Sequence, residues 1–301
     1  SNTHQITQAP APCAVTGLGD DGESYGPAGG SGIFTVSTNG GSCSWTATSS
    51  ASWVTISSGG NGTGSSGAIT YSVSANPVAA DRSAEIVVGP FTYSITQAAA
   101  ACDVLSISAG SSEIGFDGGP GSFEVTTNGG ACEWSATSSA DWIVLDAGTG
   151  SGVVSTLSFT VATNEVAEGR SGEISVGGFV HTVVQDPAPC VVTAAIPSEV
   201  AAVPGEASYS VAITTNGATC EWSATTSDEW ITLDVAAGTG DSGIEFTVAA
   251  NPVTVERVGS IEIGGVMVMV TQAALPCAIV SLDPTEASAD FLGGPLAVSV
   301  E

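Results

Sequence analysis

The chain contains no lysine, and its only strong side-chain cations are three arginines, Arg82, Arg170 and Arg257. Against 30 Asp and Glu residues this leaves a formal net charge of −27. Three scattered cations cannot form a basic patch that neutralises a run of phosphates, so nucleic acid is excluded as a natural partner. An anionic membrane surface is excluded for the same reason. Without lysine there is no Schiff-base chemistry and no Lys–Asn isopeptide crosslink. No apolar run approaches the ~20 residues of a membrane-spanning helix, so no membrane insertion is expected. Aromatic residues are 6% of the chain, too few for a broad stacking surface. Charged residues are only 11% and hydrophobic ones 43%, so the acidity does not signal disorder. Histidine occurs twice, at His4 and His181, each four residues before a Gln. Tyr93 and Val268 fill the same slot elsewhere, and a slot that accepts His, Tyr and Val is a strand-packing position rather than a catalytic one. No Ser–His–Asp or Cys–His arrangement is present, and no enzyme activity is expected.

What the chain does have is a ladder of cysteines. Cys13, Cys102, Cys190 and Cys277 are spaced 89, 88 and 87 residues apart. The first three are each followed 30 residues later by a second, Cys43, Cys132 and Cys220, whereas Cys277 has no partner. This is a tandem array. Its units span 13–101, 102–189 and 190–276, with a closing strand of a preceding or neighbouring unit over 1–12 and the opening strands of a fourth over 277–301. The pattern reads as one disulfide within each unit. Zinc is the alternative, but there is no C-x-x-C pair and the histidines lie far from the cysteines. Closing a loop of this length stabilises a small unit by roughly 3–4 kcal/mol. Disulfides place the chain outside the cell or on its surface.

Within each unit the punctuation recurs in register. A Thr-Asn-Gly turn (Thr38-Asn39-Gly40, Thr127-Asn128-Gly129, Thr215-Asn216-Gly217) precedes the second cysteine. A C-x-W-x-A run follows, carrying Trp45, Trp134 and Trp222, and a second tryptophan comes eight residues later at Trp53, Trp142 and Trp230. Asn76, Asn164 and Asn251 each precede an arginine by six residues, and the unit closes on Gln97, Gln185 or Gln272. The apolar period is two throughout, as in Leu157-Ser158-Phe159-Thr160-Val161. Six or seven short strands with frequent turns predict an all-β chain of tandem immunoglobulin-like sandwiches. Short Pro-containing linkers predict a rod-like arrangement.

The unit resembles the BACON domain (Bacteroidetes-associated carbohydrate-binding, often N-terminal). The resemblance rests on the C-x-W-x-A run, the second tryptophan in Ser52-Trp53-Val54-Thr55-Ile56, the Asn76…Arg82 spacing and the closing Ile95-Thr96-Gln97. The same set recurs around Trp142 and Trp230. It implies an immunoglobulin-like sandwich in a secreted or surface protein and offers polysaccharide as a candidate partner.

The six tryptophans are candidates for glycan stacking, weighed against core packing. Trp45, Trp134 and Trp222 share a strand face with Cys and Ala, which favours the core. The second set begins a strand, and core is favoured there too. Aromatics outside the repeated register are few: Tyr25, Phe116, Tyr209 and Phe291. Arg82, Arg170 and Arg257 are expected to bridge loop carbonyls or an acidic neighbour, with anion binding as the alternative. A weak calcium candidate lies at Asp20-Asp21-Gly22-Glu23 or Asp117-Gly118-Gly119, neither an EF-hand loop, and no other cofactor is expected. Asn61-Gly62-Thr63 is the only N-glycosylation sequon.

The ends leave two readings open, a window onto a longer array or subunits joined head-to-tail by strand exchange into a homopolymer. Both lead to a non-enzymatic structural module of an extracellular fibre, filament or stalk. The alternative is a carbohydrate-binding or adhesive module.

Overall fold

The computed structural model describes residues 4–5, 7–277, 282–283 and 299–300, and the described residues contain strands and no helix. In the first repeat, β1 (Val15–Leu18), β3 (Gly30–Thr38), β7 (Ser66–Val73) and β5 (Val54–Ser58) form one sheet in the order β1-β3-β7-β5. β2 (Gly22–Tyr25), β9 (Phe91–Gln97), β8 (Arg82–Val88), β4 (Ser44–Ser49) and β6 (Asn61–Thr63) form the other, in that order. The opening segment is split between the sheets, β1 running antiparallel to β3 and β2 parallel to β9. That split and the three-residue β6 raise the strand number to nine, above the six or seven expected. The strands from β10 (Val104–Ile107) to β18 (Phe179–Gln185), and from β19 (Val192–Ile196) to β27 (Val266–Gln272), repeat both orders strand for strand. The chain is therefore a tandem series of immunoglobulin-like sandwiches.

The period-two pattern decides what each strand buries. Along β3, Phe34 and Val36 point inward while Thr35 and Ser37 face solvent. They meet Ile69 and Tyr71 from their own sheet and Trp45, Ile86, Tyr93 and Ile95 from the other. Phe34 stacks on Tyr93 with ring centroids 4.2 Å apart. In the second repeat His181 takes that slot, stacked 4.4 Å from Phe123 and fully buried. Its Nδ1 lies 2.7 Å from Ala109 O and its Nε2 2.8 Å from Ser112 Oγ, so both ring nitrogens are satisfied.

Trp45, Trp134 and Trp222 are core residues, 6–7% exposed. Each indole N–H is satisfied: Trp45 donates to Gly59 O, Trp134 to Ser155 Oγ, and Trp222 lies near both Gly240 O and Ser242 Oγ. Each also sits directly across a strand pair from a glycine, Gly62, Gly150 or Gly238. A Cβ on any of these glycines would fall inside the indole. Valine in place of Gly150 must displace a packed ring, so Gly150→Val is expected to cost about 1–3 kcal/mol. Denaturant unfolding followed by tryptophan fluorescence checks this, and an unchanged midpoint would contradict it.

The three disulfides are Cys13–Cys43, Cys102–Cys132 and Cys190–Cys220, with Cα–Cα distances of 5.1, 5.2 and 5.2 Å. Cys277 is exposed and unbonded. Beyond it, Leu282–Asp283 pairs antiparallel with Ser299–Val300 through Leu282↔Val300. Counted from Cys277 and Cys13, this is the register of Leu18↔Val36 in the first repeat. His4, Gln5 and residues 7–12, expected as a closing strand, lie outside any strand of this chain.

Contacts group the chain into two units. One comprises Ser1–Glu113, Gly119–Ala162 and Ser171–Val184; the other comprises Ile114–Gly118, Thr163–Arg170 and Gln185–Glu301. The second unit thus gathers two end loops of the second repeat with the third repeat.

Candidate functional site

Each repeat ends in a knot of three polar side chains. Gln97, 1% exposed, accepts from Arg82 Nε at 2.8 Å and faces the carbonyls of Gly26, Pro27 and Ser74 with its amide nitrogen. Arg82 Nη2 donates to Ser74 O at 2.8 Å and Ala75 O at 3.0 Å. Asn76, also buried, donates to Ala80 O and Ala98 O and accepts from the backbone N–H of Val78. The geometry recurs in Asn251, Arg257 and Gln272. In the second repeat Arg170 Nε donates to Gln185 Oε1 at 2.8 Å and Asn164 holds Glu168 O and Asp186 O. Arginine therefore bridges loop carbonyls, one of the roles its planar fork suits.

The second tryptophan set packs at the margin of the core, with Trp53 and Trp230 lying against the core clusters of their repeats. Trp53, Trp142 and Trp230 are half-buried. The guanidinium of Arg82 lies 4.3 Å from the Trp53 ring centroid and that of Arg257 lies 4.4 Å from Trp230. These two rings roof the knot, with one face taken by a cation.

The knot holds a short loop, Pro77 to Ala80, out from the end of the repeat. That loop docks on the Thr-Asn-Gly turn of the next. Ala79 N–H donates to Asn128 O at 2.9 Å, and Asn128 Nδ2 faces Pro77 O at 3.3 Å. Within the second contact unit the same bonds recur, Ala167 N–H to Asn216 O at 2.9 Å and Asn216 Nδ2 to Glu165 O at 3.2 Å. Glycine is needed at the receiving turn because the backbones touch. A Cβ at Gly129 would come within 2.7 Å of the Ala79 Cβ, and one at Gly217 within 2.9 Å of that of Ala167. The turn is itself braced: the Thr127 hydroxyl lies 2.7 Å from Gly152 O, and Asn128 also binds Ala101 O and Asp103 N. The Cys102–Cys132 disulfide ties that linker to the turn.

The first repeat carries a second feature, a cleft of about 390 Å³ whose lining includes Ser24, Tyr25, Asp81, Arg82, Ser83 and Thr96. Tyr25 is fixed by Glu23, whose Oε2 accepts from Tyr25 and from buried Tyr71, both at 2.7 Å. Those two hydroxyls hold Glu23 below the usual carboxylate range, Tyr25 first. Burial is the main cause that pushes Tyr25 up to about 12 and raises Tyr71 above the ordinary phenol range. A carboxylate depressed in the folded state contributes stability above its unfolded pKa near 4.3 and loses it as pH falls through the folded value. Glu23→Gln is therefore expected to flatten the acid limb of first-repeat stability below about pH 4. Peptide-resolved hydrogen exchange across pH reads this; an acid limb identical to wild type would remove the role.

Among the described residues no three His, Cys, Asp or Glu side chains converge as a metal site. No helix of the described residues is long and apolar enough to cross a membrane. Phe116 and Tyr209 are half-buried, Asn61 of the sequon is exposed, and Phe291 lies outside the described residues.

The BACON family, described as "Putative binding domain, N-terminal", matches residues 44–98, 133–178 and 221–273, about half of the chain. This chain belongs to the BACON family. No curated protein matches it in sequence. Among solved structures, the I-band fragment I67–I69 of titin is 9% identical, covering 88% of this chain and 99% of that one with a TM-score of 0.41. A Bacteroides ovatus GH5 xyloglucanase in complex with a XXXG heptasaccharide is 20% identical, with a TM-score of 0.26. That match covers 29% of this chain and 19% of the enzyme, so the BACON chain corresponds to under a fifth of its length.

In each BACON repeat the sequence marks the asparagine, arginine and glutamine but not the loop they carry. Pro77–Ala80 and Glu165–Glu168 share only the Val-Ala pair that begins two residues after the buried Asn, and Val78 and Val166 stay exposed. The available signal is the fixed six-residue Asn–Arg interval, which is long enough for one projecting turn.

Proposed function

We propose that this BACON chain is a non-enzymatic structural module of an extracellular fibre, filament or stalk, in which successive repeats are held in register by a loop-on-turn lock. The observation that carries the reading is the recurrence of one contact, Ala79 on Asn128 and Ala167 on Asn216, in two sequence settings that share no charge pattern. Three disulfides suit an oxidising environment. The lock is tested in the full chain with Gly129→Val and Gly217→Val. Each substitution should raise the exchange rate of the Ala79 or Ala167 amide at least tenfold and widen the distribution of sizes in small-angle scattering. Unchanged exchange and scattering in both variants would overturn the reading.

A second reading, carbohydrate binding, is supported by the first-repeat cleft. Its lining combines Tyr25 with the hydroxyls of Ser24, Ser83 and Thr96 and the charges of Asp81 and Arg82. Hydroxyl-rich clefts beside an aromatic edge suit neutral sugars. Titration of the full chain with xyloglucan, β-glucan and mannan oligosaccharides, followed by NMR, should shift resonances confined to these residues. No shift at millimolar sugar would eliminate it.

A further inference from the structure

The chain enters and leaves the first repeat at two fastened points. Cys13 precedes β1 and Cys43 follows β3, so their bond closes β1, β2 and β3 into a covalent loop. Tension that reaches Cys13 along the chain therefore crosses to Cys43, whose Cα is 5.1 Å away, and bypasses the residues between them. It leaves the repeat after Gln97, the last residue of β9. That residue is the hub of the knot. Its side chain joins Arg82 at the start of β8, the Gly26 and Pro27 carbonyls after β2, and the Ser74 carbonyl after β7 of the other sheet. β4 and β9 both run antiparallel to β8 and so point the same way. A backward pull on Cys43, just before β4, and a forward pull on Gln97 therefore oppose each other along the strands. β9 is held against that pull by seven paired positions of β8 and, on its other edge, four of β2. Ladder bonds run across the strands, so a load along them is shared and the bonds fail together instead of peeling one by one. The third repeat is fastened alike. Cys190–Cys220 closes β19, β20 (Glu199–Ala202) and β21 (Ala207–Thr215), and four positions of β20 pair in parallel with β27. Gln272 ends β27 and joins Arg257 to the carbonyls of Val203, Pro204 and Ala249.

We infer, resting on the structural-module reading, that each repeat is a tension-bearing link, fastened covalently where load enters and by the Arg–Gln knot where load leaves. The disulfide sets the reach of the link as well as its strength. Of the 89 residues from Cys13 to Cys102, it keeps 30 out of the loaded path. An extended residue spans about 3.3–3.6 Å, so each repeat that gives way lengthens by about 100 Å less than its sequence allows. The knot acts on the other quantity, the time a link survives under load. Forced unfolding is governed by the unfolding rate and not by equilibrium stability, so a fastening in the loaded path counts for more than equal stability elsewhere.

The test stretches the full chain between handles ligated to its two ends, with Cys277→Ser so that no free thiol exchanges with the bonds. At constant force the chain should lengthen in three discrete steps, each about 100 Å short of its repeat's full contour. In the paired variant Cys102→Ala, Cys132→Ala, one step should grow by that length and the other two stay as they were. Gln97→Glu, which keeps the Arg82 bond and loses the amide donors, should shorten the lifetime of one step about tenfold. Its control is a substitution at Ile69, fully buried in β7 outside the β8–β9 ladder, chosen to match it in denaturant stability. The matched Ile69 variant should shorten the lifetime less. Steps of full contour length in the parent chain, or gradual lengthening without steps, would overturn the inference, and neither outcome needs a variant to fold. Equal lifetimes for Gln97→Glu and its matched control would also overturn it, because the knot would then stabilise the repeat without carrying load. None of these results bears on amide exchange at Ala79 and Ala167, which decides the structural-module reading separately.

Discussion

Gln97→Leu is expected to destabilise the first repeat by about 3–5 kcal/mol, more than most single substitutions. Leucine matches the volume but not the chemistry. The native side chain is 1% exposed and serves Arg82 through one end and three backbone carbonyls through the other. Each polar group stranded in a buried site costs about 1–3 kcal/mol. Arg82 is only half-buried and recovers part of its loss by turning to water, which keeps the total below the sum. Gln97→Glu should be milder, because a carboxylate still accepts from Arg82 but offers no N–H to Gly26, Pro27 and Ser74. The loss has a second address. Arg82 also holds Ser74 O and Ala75 O at the base of the docking loop, so the Ala79 amide should exchange faster in both variants. Peptide-resolved hydrogen exchange measures both effects. A Gln97→Leu chain with wild-type protection in β8 and β9 would show that water replaces the knot at little cost.

Removing Cys102–Cys132 by paired substitution to alanine is expected to cost the second repeat about 3–4 kcal/mol, for a loop of 30 residues. The unfolded chain gains the freedom that the bond had removed. Here too the effect should cross the junction. The bond joins the linker that follows Ala101 to the turn that holds Asn128, and Asn128 is the acceptor of the Ala79 amide. Protection at Ala79, in the preceding repeat, should therefore fall along with protection in the second. Calorimetry gives the first quantity and amide exchange the second. A stability loss without any change at Ala79 would make the disulfide a staple of its own repeat alone.

Much of this was legible in the residues. Cysteines at a fixed interval of 30 mark the bonded pairs because a closed loop of fixed length must recur in a repeated fold. Alternation along Leu157 to Val161 marks a half-buried strand because side chains on a strand alternate between its faces. His181 was recognisable as a packing residue from the Tyr and Val that share its slot. Trp45, Trp134 and Trp222 sort correctly because Cys and Ala flank them on the same face. How far Trp53, Trp142 and Trp230 are covered was not legible, since a residue at a strand start is covered or exposed according to which loop folds over it; all three are half-buried, and Trp53 and Trp230 pack against the core. For Trp53 and Trp230 that cover is an arginine 29 or 27 residues further along the chain.

The sequence by itself determined the number of repeats, their disulfides, the two-sheet character of each and the absence of a cationic surface. These depend on composition and on local period, which are properties of order along the chain. Only the tertiary structure decided that Asn76, Arg82 and Gln97 form one knot, that the knot presents a loop, and that Gly129 and Gly217 are the places where loop meets turn. Those pairings join residues up to 51 positions apart through carbonyl and amide groups that every residue carries. A contact made by the backbone leaves no side-chain signature except the glycine that makes room for it.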